Sequence, residues 1–160
     1  MPTPVDPEDV LRLPLVANLA TCAADGAPRN APVWFHWEDG ALFMLSDEGA
    51  SSVRRIGHDS RVAVEIVDYD NTQGLMRHVG LRGRATVMPM DRALFRRLLT
   101  RYLGPDETAW NPWFLENIAR ISDPKGRLIR LMPESIFTND VSFFRTGPRL
   151  ASASAPAHRR

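Results

Sequence analysis

A chain of 160 residues with 44% hydrophobic and 24% charged residues and a formal net charge of +1 has the size and composition of one globular domain with a single sizeable core. So small a net charge excludes a broad field for nucleic acid, and no run of eighteen apolar residues offers a membrane-spanning helix. A single cysteine excludes an internal disulfide and any cysteine-based zinc site.

Taken in chain order, Asp6-Pro7-Glu8-Asp9 combines an N-cap, a proline at the first helical position and acidic residues in the first turn, which predicts a short helix to about Leu13, stopped by Pro14. The opening stretch has no positively charged segment leading into an apolar run, which predicts a cytoplasmic protein. Leu15 to Ala23 reads as a strand, and the Asp-Gly turn after it leads into a second extended run from Arg29 to Trp37. Cys22 lies in this apolar context and is expected to be a buried, inert thiol. Glu38-Asp39-Gly40 makes another tight turn before the strand Ala41 to Ser46. The segment ASSVRRIG predicts one or two helical turns ending on Gly57 in the left-handed position. Arg61 to Val67 alternates as a fourth strand. HVGLRGRATVMP is a fifth, in which Gly80 and Gly83 predict a bulge or a close backbone approach. Asp91 caps a helix that Gly104 ends, with Leu94, Leu98 and Leu99 at helical spacing, and Asn111-Pro112 opens another to Ile121. RLIRLMPESIF and DVSFF supply one or two closing strands, and residues 147–160 read as a disordered tail after a single domain over 1–146. The sum is a mainly β protein (α+β), a small antiparallel β-barrel with peripheral helices.

Two constellations carry chemistry. In APVWFHW, alternation puts Ala31, Val33, Phe35 and Trp37 on one face, expected to be core, and Asn30, Pro32, Trp34 and His36 on the other. Aromatic rings on that second face favour burial, so it is a subunit interface, a wall for a planar ligand or a second packed layer. In SDEGASSVRRIG, Ser46, Ser51, Ser52, Arg54 and Arg55 surround the start of a short helix, where free N–H groups favour an anion, unless a serine caps the helix. His36, His58, His78 and His158 are too scattered for metal-binding spacing, and there is no nucleophile elbow or glycine-rich phosphate loop. Neither metal chemistry nor nucleic-acid binding is therefore expected.

The order of these pieces, from LATCAADGAPRNAPVWFHWEDGALFMLSDEGASSVRRIGHDSRVAVEI to RHVGLRGRATVM, resembles the pyridoxamine 5′-phosphate oxidase-like superfamily of flavin-binding split β-barrels. The resemblance covers roughly Leu15 to Met88 and implies a homodimer with FMN at the subunit interface. It places the backbone of Pro32, Val33, Trp34, Phe35 and His36 along the flavin ring, Leu45 and Ser46 near its ribityl chain and phosphate, and Ser51 and Ser52 where the family holds the phosphate. His78 falls at a polar position near the flavin. Ser52 stands where the family pattern has a lysine, and Arg29, Arg54 or Arg55 is the candidate replacement for its charge. The implied function is an FMN-dependent oxidoreductase acting on a small molecule, with NAD(P)H as a candidate reductant. The alternatives are a reductase using the deazaflavin coenzyme and a non-enzymatic flavin- or haem-binding dimer. The oxidase's C-terminal substrate motif is absent, which argues against oxidation of pyridoxamine phosphate itself.

Overall fold

The computed structural model describes residues 5–119 and 125–143. The tail expected over 147–160 lies outside them. Seven strands form one antiparallel sheet: β1 (Ala17–Cys22), β2 (Pro28–Val33), β3 (Phe35–Glu38), β4 (Ala41–Asp47), β5 (Arg61–Asp70), β6 (Leu75–Pro89) and β7 (Gly126–Asp140). Their order across the sheet is β2-β1-β5-β6-β7-β4-β3. The two edges, β2 and β3, are consecutive in the chain and separated only by Trp34. One residue cannot bridge opposite edges of a flat seven-stranded sheet, so the sheet curls until its edges meet: a split barrel.

The expected hairpins form. Gly26 and Gly40 take positive φ at the β1–β2 and β3–β4 turns, as Asp-Gly turns require. The run read as one strand from Arg29 to Trp37 is broken at Trp34, and its halves pair with different partners, β2 with β1 and β3 with β4. The closing segment is one long strand, β7, which takes in RLIRLMPESIF and ends at Asp140; of DVSFF, Val141 to Phe143 lie outside any strand. Gly83 sits at a register shift between β6 and β7, and Gly80 lies so close to Phe137 that a Cβ there would come within 1.9 Å of the ring, so both expectations for these glycines hold.

Two cores result. The barrel interior takes the alternating residues Leu19, Val62, Val64, Ile66, Val79 and Leu81, with Phe35 fully enclosed among them. Helix α1 (Pro7–Leu11), capped by the Asp6 side chain, adds Val10 and Leu11, and the Trp37 indole N–H donates to Glu8 Oε1 at 2.7 Å. Ala31, expected in this core with Val33, Phe35 and Trp37, is exposed, because β2 pairs on one side only and lies at the open seam. The second core lies outside the barrel, where α3 (Arg92–Leu103) and α4 (Pro112–Ala119) bring Phe95, Leu98, Leu99 and Ile118 together with Trp110. Trp34 and Leu45, from the chain of the barrel itself, pack against this second cluster. Helix α2 (Ser51–His58) continues through Gly57 and ends on Asp59, whose N–H donates to Arg55 O. The left-handed terminus expected at Gly57 is not formed. Among the described residues no helix is long and apolar enough to cross a membrane.

Candidate functional site

Trp34 settles which of the three readings applies to its side chain. Its ring stacks on Tyr102 at 4.5 Å with planes 5° apart, and on Phe114 at 6.1 Å, inside the second packed layer. The Tyr102 hydroxyl accepts from Phe35 N at 2.9 Å and lies 2.8 Å from Leu15 O, so it stitches the strand break to the segment before β1. Burial raises the Tyr102 pKa above the usual phenol value, only partly offset by the hydrogen bond from Phe35 and the charge of Arg101. Sequence reading did not single out Tyr102, whose partner lies 67 residues away. Val33 and Phe35 turn toward the barrel interior, and His36 Nε2 pairs with Glu38 Oε2 at 2.9 Å. Of Pro32 to His36, then, mostly backbone is left for a ligand.

The second constellation assembles in part. The N-cap of α2 is Ala50, with no side-chain cap bond, so the serine-capped alternative does not apply. Ser51, Arg54, Arg55 and His58 line a cleft with Ala23 and Ala24, the residues that follow β1. Among the described residues no carboxylate lines it, and no side chain caps the amides of the first α2 turn, a combination that favours an anion. Arg55 is fixed by its Nε–H bond to Thr21 Oγ1 at 2.7 Å, and Arg54 by donation to Gly49 O at 2.8 Å, which leaves further guanidinium N–H groups on each. Thr21 is a buried polar side chain on an otherwise apolar inward face, the one sign of this anchor in the sequence. Ser52 does not line the cleft. Arg29 is exposed and bonds Pro28 O, while Ser46 is in register with Arg127 and Leu45 packs in the outer layer.

A second concave place opens on the outward side of β2, β1, β5 and β6. Asn18, Asn30, Glu65, Arg82 and Phe137 surround a hollow there, floored by Ala20 and Ala63. His78 stands at its margin, with Nδ1 2.5 Å from Glu65 Oε1 and its ring edge-on to Phe137 at 5.7 Å. β1 connects the two places: Ala20 lines the hollow and Ala23 the cleft, about 10 Å apart along an extended chain. Among the described residues no group of three His, Cys, Asp or Glu is gathered as metal ligands.

The family model for pyridoxamine 5′-phosphate oxidase matches residues 8–140, nearly the whole described structure. The chain belongs to this family. Membership in the pyridoxamine 5′-phosphate oxidase family supports a flavin-binding function at the level of the family. Three solved structures share the split barrel. A conserved hypothetical protein from Mycobacterium tuberculosis, Rv2991, is 19% identical over 92% of this chain and 91% of its own, with a TM-score of 0.70. A protein described as F420 Reductase is 27% identical over 84% of this chain and 98% of its own, with a TM-score of 0.63. A FAD-binding protein from Mesorhizobium loti is 23% identical over 84% and 91%, with a TM-score of 0.59. No curated protein sequence matches the chain.

Proposed function

We propose that this chain is an oxidoreductase that binds the deazaflavin coenzyme, works as a homodimer and acts in the cytoplasm on a small molecule. The observation that carries the reading is the cleft of Ser51, Arg54, Arg55 and His58, cationic and, among the described residues, free of carboxylates, at the end of a strand whose other half lines an open hollow. Such a cofactor supplies, when bound, a hydride or electron pair through a planar ring and carries an anionic tail.

The residues fit the tail. Two arginines, each already oriented by one hydrogen bond, hold further donors for phosphate or carboxylate oxygens at reduced entropic cost. The ring would lie along the backbone at the seam near Pro32, with the outward face of β2, β1, β5 and β6 meeting a second copy. Deazaflavin is favoured over FMN on two grounds. The lysine that serves a dianionic phosphomonoester in the family pattern is Ser52, and the reductase likeness extends over almost all of that protein at 27% identity. FMN is the second reading, favoured by the orientation of Arg55 toward the cleft.

Sedimentation equilibrium of the purified chain, followed by fluorescence titration with each cofactor, tests this directly. Dimers that bind the deazaflavin coenzyme at least tenfold more tightly than FMN are expected. The opposite preference would move the assignment to FMN, and a chain that binds neither would refute a redox role.

A further inference from the structure

Ser51, Arg54, Arg55 and His58 line the cationic cleft from a single stripe of α2. At about 100° and 1.5 Å per residue, Ser51 and His58 fall within about 20° of each other and about 10 Å apart along the helix, with Arg54 and Arg55 flanking the line between them. The opposite wall, Ala23 and Ala24, presents only methyl groups and offers these side chains no partner. Among the described residues neither arginine pairs with a carboxylate, and the His58 side chain enters no hydrogen bond or ion pair. The two ends of the stripe differ in what the backbone offers. Free amides attract an anion at Ser51, whereas the carbonyl end of the helix repels one at His58. An anionic group at the far end is therefore held by side-chain charge alone, from the arginines and from the imidazole when it carries a proton.

The charges around His58 leave it available. Asp59 is committed to Arg61, which donates to it at 2.6 Å and holds its carboxyl well below the usual range, so Asp59 stays ionised wherever an imidazole titrates. Asp25, in the turn after Ala24, accepts from Ala27 N–H. Of the strands packed on α2, β1 brings Cys22, and β6 brings Arg84, which donates to Ser60 Oγ.

We propose that His58 is a specificity-determining residue of the cleft: when protonated it holds, with the arginines, a second anionic group in line with the one at Ser51, so that the cleft selects a doubly anionic tail and grips it harder as pH falls. The assignment rests on the cofactor reading above in taking the cleft as an anion site. Imidazole changes charge between pH 5 and 8, while both guanidinium groups stay cationic throughout. The cleft thus carries two fixed positive charges above that range and a third below it. A singly anionic ligand is served by the helix start and the arginines at either pH. Only a ligand that reaches the far end gains from the third charge. Protonation of His58 and capture of the second anion favour each other, so affinity for a doubly anionic ligand falls as pH rises through the imidazole range.

The probes are 1,3-propanedisulfonate and 1-propanesulfonate, whose charges do not change over the imidazole range, titrated into the full chain without cofactor and followed by NMR of the α2 amides and the His58 ring. Wild type should prefer the disulfonate about tenfold or more near pH 5.5 and no more than about threefold near pH 8.5. His58→Gln should show the smaller preference at both pH values, and His58→Lys, which supplies a permanent charge, the larger one at both. A wild-type preference that does not change with pH, or a pH-dependent preference retained in His58→Gln, overturns the inference. Cofactor titration is read separately. A chain that shows the disulfonate switch and binds neither cofactor overturns the redox reading alone, and a chain that binds the coenzyme without the switch overturns the role of His58 alone.

Discussion

Replacing Gly80 with alanine drives a methyl group into the Phe137 ring, because the position for a Cβ lies 1.9 Å from Cε1 and 2.1 Å from Cζ. The ring must swing away, and because it is the far end of a side chain that is 39% exposed, the cost in denaturant unfolding should be small, about 0.5–1 kcal/mol. Gly80→Ala combined with Phe137→Ala should cost less than the sum of the two single changes, a coupling that a double-mutant cycle measures. The special status of this glycine is legible in the sequence, since glycine inside a strand sacrifices packing and chain entropy and so marks a close approach. Tyr102 is not legible in the same way. It looks like one more residue of an amphipathic helix until the fold carries it to the Phe35 and Leu15 backbone. Tyr102→Phe leaves the Phe35 N–H and the Leu15 carbonyl without this partner, and urea unfolding should show a loss of about 1–3 kcal/mol.

Helices and hairpins follow from short-range signals, and so most of the elements can be read from the chain. Asp6 and Asp91 cap α1 and α3 through their side chains as expected. What alternation alone cannot supply is the break at Trp34, because both halves of the run have strand character and only tertiary pairing separates them. The layer that covers Trp34 comes from α3 and α4, which begin only at Arg92 and Pro112. An ion pair helps attach α3: Arg97 donates to both carboxylate oxygens of Glu38, on β3, at 3.0 and 2.7 Å. These bonds chiefly, with a further one from His36, hold the Glu38 pKa below its ordinary 4.5 against the opposing effect of burial. A depressed carboxylate contributes stability that is complete above the unfolded value and is lost as pH falls through the folded one. The stability difference between wild type and Glu38→Gln should therefore shrink as pH drops below about 4.5, as thermal unfolding at a series of acidic pH values would show. A difference unchanged down to complete protonation would mean that the pair does not anchor α3.

At the scale of the molecule, the barrel is foreshadowed by successive Asp-Gly hairpins and by the ordered motifs of the flavin-binding family, which the family match over residues 8–140 bears out. The closure itself is not foreshadowed, since it depends on β7 returning between β6 and β4 after a helical insertion. The candidate site was legible in the segment where charge and turn position coincide, Ser51 with Arg54 and Arg55. It was not legible where the fold gathers distant residues: His58 and Ala23 in the cleft, and Glu65, Arg82 and Phe137 around the hollow. The central claim is that the cleft holds the anionic tail of a flavin-type cofactor. Fluorescence titration of the purified chain with the deazaflavin coenzyme, run beside the same ring system without its tail, tests it most directly. The coenzyme should bind at least tenfold more tightly than the tailless ring, about 1.4 kcal/mol, and Arg54→Ala should erase most of that difference while leaving the tailless ligand unaffected. Equal affinity for the two ligands in the wild type, or equal losses for both in Arg54→Ala, would contradict the assignment of the cleft.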